Sequence, residues 1–298
     1  AIAITLLILG TILIFPYQKI FTVFKWLALT LFAYVFASFT VHQDWPRVFY
    51  HLFVPTIVFS KEYLLVLMAF MGTTLSPYLF FWQANQEVEE KIIEQCKPGH
   101  ICRLKPSSPE EMKAMDVDTR IGMTFSNLIT FFIITLTAAT LFRSGITNIE
   151  TLRDAADALR PLAGNYAYSL FAIGILSSGF LAIPVLAGSA AYVIAEVFGW
   201  SGGFNKSFTK AKEFYIVIIA STVIGLAIPL LGFHPVKALF YTSLLYAVIS
   251  PLLIIMVIHM ANNKKIMGDY VNGKRLNWFG YITFWIMAAS SVLIFFLF

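Results

Sequence analysis

Charge is scarce in this chain of 298 residues. Asp, Glu, Lys and Arg together make up 12% of it, against 59% apolar residues, and the mean hydropathy is +0.78. A soluble globule carries about a quarter of its residues charged, so the soluble classes are excluded. Cysteine is nearly missing too: only Cys96 and Cys102 occur, in "CKPGHIC". With His100 they offer three ligands and lack the paired spacing of a zinc site. Thiols on the cytoplasmic side stay reduced, so no metal role is assigned to them. HExxH does not occur, and no two acids share an apolar run. Hydrolytic chemistry therefore has no residues to stand on, and the chain is not expected to be an enzyme or to hold a cofactor. The first apolar run opens on Ala1 without the basic flank and small-residue cleavage site of a signal peptide. The sequence reads as truncated at its start.

What the chain does have is long apolar runs. Eight lie near residues 1 to 15, 20 to 42, 56 to 83, 121 to 142, 166 to 198, 213 to 232, 236 to 260 and 277 to 298, most of them of the length that crosses a bilayer as a helix. The expected fold is all-α, a polytopic membrane helix bundle forming one transmembrane domain over residues 1–298. Of the 21 basic residues, all but Arg47, Lys61, Arg143, Arg153, Arg160 and Lys237 fall in the loops at about 16 to 25, 84 to 120, 199 to 212 and 261 to 276. The positive-inside rule places those loops in the cytoplasm and both chain ends outside. Topology thus explains the net charge of +5, and no nucleic-acid partner is called for.

One external loop carries a helical pattern. After Thr147 and Asn148, residues suited to capping, Ile149, Leu152, Ala156 and Leu159 share a face, as in a short connecting helix. Of sixteen acidic residues fifteen fall in loops or at interfaces, Glu62 and Glu213 near the starts of their runs, and only Glu196 is placed within a span, near its cytoplasmic end, where it reaches water. His42, His51, His234 and His259 read as interfacial.

The stretch "MAFMGTTLSPYLFFWQANQEVEE", residues 68 to 90, interrupts the third run. Pro77 has no N–H, so the carbonyl of Thr73 loses its helical partner and the ring crowds that turn. A freed carbonyl in lipid costs several kcal/mol. Either the hydroxyls of Thr74 or Ser76 satisfy it, or unwound carbonyls and half-helix ends at residues 72–77 meet a substrate ion. Further interruptions are expected at Ser177, Ser178, Gly179 and Pro184, at Gly225 and Pro229, and at Ser250 and Pro251.

Four segments, "YQKIFTVFKWLALTLFAYVFASF", "MGTTLSPYLFFWQANQEVEE", "LFAIGILSSGFLAIPVLAGSAAYVIAEVFGW" and "HMANNKKIMGDYVNGK", together resemble the NRAMP superfamily of divalent-metal transporters, specifically a less-studied bacterial branch. The resemblance implies a leucine-transporter-type inverted-repeat fold in which the eight runs are family helices four to eleven. Helices one to three, with the acidic residue of the ion site, would precede them. Where typical members write Ala-x-x-Met-Pro-His, this chain reads Thr73, Thr74, Leu75, Ser76, Pro77 and Tyr78. The ligand carbonyl is kept at Thr73 and the thioether is replaced by Ser76. Thioether favours later transition metals, whereas hydroxyl and carbonyl oxygens suit Mg²⁺, Ca²⁺ and Mn²⁺.

By the same resemblance, Thr73, Thr74, Ser76 and Ser243 line the substrate-ion pathway, with Asn127 a further neutral polar candidate. Tyr78 stands where typical members carry a histidine suited to proton movement, which leaves protons a less secure partner than the metal. Glu87, Glu89 and Glu90 fall about 15 Å or more beyond the break and are expected at a cytoplasmic exit or in solvent. The implied function is a secondary transporter in the bacterial inner membrane that imports a divalent cation such as Mn²⁺ or Mg²⁺ by alternating access. Its partners are the metal ion and the lipid bilayer. The other classes are an organic-substrate symporter of the same fold and a membrane scaffold that does not transport.

Overall fold

The computed structural model describes residues 2–14, 26, 28–96, 104–147, 149, 152–157, 164 and 167–297, and these contain helices and no strand. Six helical segments among them are long and apolar enough to cross a membrane: Lys61–Gln95 counted across its break, Pro109–Phe142, Phe171–Phe198, Lys212–Leu230, Pro235–Ala261 and Lys274–Leu297. They coincide with the last six of the eight expected runs. The first two runs are represented by shorter apolar helices, Ile4–Leu13 and Leu29–Thr40, and residues 15–25 lie outside the described ones.

The chain folds into two compact units, one of Ala1–Pro55 and Trp82–Ala227, the other of Thr56–Phe81 and Ile228–Phe298. In the first, α1 (Ile2–Ile14) is followed by α2 (Phe32–Thr40) and α3 (Trp45–Phe53). Asp44 starts α3 by accepting from the backbone N–H of Arg47 at 3.2 Å, with Pro46 in the first turn, where a missing N–H costs nothing. Helix α4 (Lys61–Thr74) belongs to the second unit, and α5 (Pro77–Gln95) passes from the second unit into the first after Phe81.

Helix α6 (Pro109–Thr137) opens on a capping box, Ser108 and Glu111 satisfying each other's backbone N–H groups. It runs into a π-helical turn at Ala138–Phe142. The short external helix exists as α7 (Leu152–Ala156), with Ala156 buried; Asn148 and Leu159 lie outside the described residues.

Helix α8 (Ala167–Phe198) and helix α9 (Lys212–Leu230) supply much of the first unit's core. Ala187, Ala191, Tyr192, Ala195, Phe214 and Ile218 pack there with Ile8, Leu9 and Ile12 of α1. Gly188 matters to this packing, because a Cβ there would run into the rings of Trp82 and Phe204. At the α2–α6 contact the buried Ser38 hydroxyl donates to the Phe132 carbonyl at 3.0 Å.

The second unit is built from α4, α10 (Pro235–Ala261), α11 (Lys264–Met267) and α12 (Lys274–Leu297). Met68, Ala69, Leu244, Ala247, Ile254, Ile258, Met287 and Ile294 form its core. Outward positions such as Leu252, Trp285, Phe295 and Phe296 are exposed, as a lipid solvent permits and water does not. Hydroxyls inside the spans turn back on their own helices, as in Thr135 to Phe131 O (2.7 Å) and Thr222 to Ile218 O (2.8 Å). Without water every polar group needs such a partner.

Proline interrupts these helices less than the sequence suggests. Helices α8 and α10 continue through Pro184 and Pro251, whereas α9 ends at Leu230, one residue after Pro229. The loss of one hydrogen bond bends a long helix without ending it when neighbours re-satisfy the freed group. Pro77, preceded by Gly-Thr-Thr-Leu-Ser, coincides with an interruption inside a span.

A candidate ion site at a helix break

The third span is interrupted at Leu75 and Ser76, a shorter interruption than the unwinding expected over residues 72–77, because Gly72, Thr73 and Thr74 stay helical. Helix α4 ends at Thr74, its C-cap Leu75 leaves the helical region at φ −105° and ψ 50°, and α5 starts on Pro77. Leu75 N–H still reaches Met71 O at 3.2 Å, and Leu79 N–H picks up Ser76 O at 3.1 Å. Between these two bonds, Pro77 has nothing to give to Thr73 O. The Ser76 hydroxyl takes its place, donating to that carbonyl at 2.5 Å from a side chain that is 7% exposed.

Helix α10 holds the other side. The hydroxyl of Ser250 stands 3.1 Å from Leu75 O and 2.6 Å from Tyr246 O, with one proton to share between them. Tyr246 also meets Tyr78 ring to ring at 5.9 Å. The two helices come this close because of Gly72: a Cβ there would overlap Ser243 O and sit 2.7 Å from Ala247 N.

The four residues expected in the ion pathway are therefore dispersed along these contacts. Thr73 and Thr74 are exposed, and both hydroxyls donate to Phe70 O, at 2.8 and 2.9 Å. Ser243 is buried and donates to Leu239 O at 2.7 Å. It precedes Ser250 by seven residues, about 10 Å along a helix, and it is Ser250 whose hydroxyl reaches the break. In the sequence Ser250 stood out only as the neighbour of Pro251. The heptad spacing from Ser243 puts both on one face of α10 and was the available signal. Asn127 is exposed on α6.

Donation to a carbonyl uses a hydroxyl's proton and leaves its oxygen lone pairs free. Ser76 Oγ and Ser250 Oγ, together with the carbonyls of Thr73 and Leu75, thus form a set of neutral hard oxygens. Among the described residues no three of His, Cys, Asp and Glu cluster as metal ligands. Beside the break a cavity of about 260 Å³ is lined by Phe70, Met71, Thr74, Leu75, Thr283, Ile286 and Met287. Both of its hydroxyls are turned onto their own helices, Thr74 to Phe70 O and Thr283 to Phe279 O, so it offers apolar walls and no seat for an ion.

Two expectations are corrected here. Glu90 is exposed, but Glu89 is 8% exposed and held by three hydrogen bonds, so it does not sit in solvent. Cys96 is disulfide-bonded where a reduced thiol was expected, which removes it as a thiolate ligand. Glu196 is exposed, as its place near the end of α8 suggested.

Comparison with known proteins places this break in context. The model of the natural resistance-associated macrophage protein-like family, Nramp, matches residues 1–297. The chain belongs to the Nramp family. Curated Nramp relatives include the divalent metal cation transporter MntH of Caldanaerobacter subterraneus subsp. tengcongensis, 25% identical over 250 residues, 84% of this chain and 54% of the relative. MntH of Clostridium acetobutylicum is 25% identical over 254 residues, 84% and 53%. MntH of Chromohalobacter salexigens is 22% identical over 240 residues, 80% and 51%. The chain spans about half the length of these relatives. Family and helices together make this Nramp chain a multi-pass membrane protein, and the bacterial sources of the relatives fit the plasma membrane expected from its sequence.

Proposed function

We propose that this Nramp chain works as part of a secondary transporter for divalent metal cations, and that the break between α4 and α5 contributes ligands to the ion's path. The observation that carries the reading is the oxygen set at the break: a Thr73 carbonyl released from its helix by Pro77, with Ser76 Oγ upon it at 2.5 Å. Half-helix ends with free oxygens are how helical transporters meet a cation in mid-membrane. Names of the relatives as divalent metal cation transporters support the substrate class.

The chemistry of the set favours hard ions. All four oxygens are carbonyl or hydroxyl, which suit Mg²⁺ and Mn²⁺, and the position after Leu75 carries no sulfur for a soft ion. Neutral oxygens alone leave a dehydrated dication uncompensated in a low-dielectric site, so a carboxylate from outside the break completes the set. Alternating access, with inward movement of the ion, is part of this reading, and the resemblance to the family supports it. Tyr78 stands where the resemblance puts a histidine in typical members, so the reading includes no proton step.

The test is uptake of Mn²⁺ and Mg²⁺ into liposomes holding the whole transporter of which this chain is part. Saturable uptake of each, with mutual competition, is expected. A scaffold gives no uptake, and an organic-substrate symporter gives none that metals compete for.

A further inference from the structure

A second polar centre lies within the first unit. Glu89 of α5 is almost fully buried. Its Oε1 accepts from the Tyr192 hydroxyl at 2.7 Å and from the Phe204 backbone N–H at 3.0 Å, and its Oε2 accepts from the Asn205 N–H at 3.2 Å. Gln86, one turn earlier on α5, donates its amide to the Tyr192 oxygen at 3.0 Å, which leaves the phenol proton for Glu89. No salt bridge joins Glu89 to a cation among the described residues; Lys206 instead donates to Ser201 at 3.0 Å.

The loop is shaped to receive this carboxylate. Gly203 adopts φ +127°, a conformation that side chains rarely allow, and a Cβ on it would overlap Glu89 Oε1. Glycine there turns two successive N–H groups, those of Phe204 and Asn205, toward one carboxylate, the arrangement of a backbone anion nest. Trp82, Tyr192 and Phe214 surround Phe204 with ring centroids 5.3 to 5.9 Å from its own, which keeps water from competing for the donors. A buried acid held this way is a costly feature that packing alone does not require.

We infer that Glu89 is a positioning residue of the transport cycle, clamping the 199–211 loop between α8 and α9 onto α5, so that loop and helix move as one piece. The inference rests on the transport reading above, since α5 is the helix that leaves the break. Glutamine at position 89 replaces one acceptor with an NH₂ group that faces N–H donors, so a neutral isostere is enough to open the clamp.

The experiment is hydrogen exchange read on peptides covering residues 199–211, together with Mn²⁺ uptake kinetics in liposomes. Glu89→Gln is expected to speed exchange at Phe204 and Asn205 about tenfold or more, and to lower Vmax per folded protein by about tenfold with KM little changed. Tyr192→Phe removes one donor of three and serves if the first variant folds poorly; a smaller rise of the same two amides is expected. Exchange that stays at the wild-type rate in both variants overturns the clamp. Faster exchange with wild-type Vmax shows a loop fastening without a part in transport and overturns the coupling. Wild-type protein that moves no metal counts against the transport reading itself, and the exchange result alone then decides the clamp.

Discussion

The Ser76 hydroxyl lies 2.5 Å from the Thr73 carbonyl, the one backbone acceptor that Pro77 deprives of a partner. The proline opens the helix and the preceding serine closes the resulting deficit, so the two residues act as a pair. Ser76→Ala leaves a buried carbonyl unsatisfied, at a cost of about 1–3 kcal/mol. The variant should melt lower in detergent, and Ser76→Thr, which keeps the hydroxyl, should recover most of the loss. Equal melting of Ser76→Ala and wild type would show that the carbonyl finds another donor.

Ser250 holds Leu75 O from α10 at 3.1 Å. Removing that hydroxyl in Ser250→Ala should cost about 1 kcal/mol and raise hydrogen exchange at residues 75–79, where few backbone bonds remain. If exchange rises instead along the whole of α10, Ser250 supports its own helix rather than the break.

Gly72→Ala tests the close approach of α4 to α10. Its Cβ would meet backbone atoms, Ser243 O and Ala247 N, which cannot rotate away as a side-chain tip can. A loss of about 1–3 kcal/mol is expected, as for overpacking elsewhere. Gly225→Ala in α9 is the control, since nothing lies within 4 Å of the added carbon. Comparable melting of the two variants would mean that α4 and α10 separate freely at this level.

The sequence carried the solvent, the helices and the break, because each is a local property. Apolar run length sets a membrane helix, and a missing N–H frees one identifiable carbonyl wherever it occurs. Pro77 could therefore be read directly, and the structure ends a helix there. Pro184 and Pro251 carry the same local signal yet leave their helices continuous, since tertiary neighbours decide whether a freed turn unwinds. Glu89 was illegible for the opposite reason. Nothing near it in "NQEVEE" separates it from Glu87 and Glu90, and its donors, Tyr192, Phe204 and Asn205, are more than a hundred residues away. Ser250 reaches its acceptor across 175 residues, and only the face it shares with Ser243 pointed toward it.

One measurement bears most directly on the break as part of the ion's path: competition of Cd²⁺ against Mg²⁺ for Mn²⁺ uptake, by wild type and by Ser76→Met. Hydroxyl and carbonyl oxygens discriminate little in favour of a soft ion, whereas a thioether at position 76 binds Cd²⁺ directly. The Cd²⁺/Mg²⁺ ratio should rise about tenfold in the variant, equivalent to about 1.4 kcal/mol. Methionine also removes the donor to Thr73 O, so thermal melting is recorded on the same samples to separate lost stability from altered selectivity. A folded Ser76→Met protein with the wild-type ratio would contradict a place for Ser76 beside the ion.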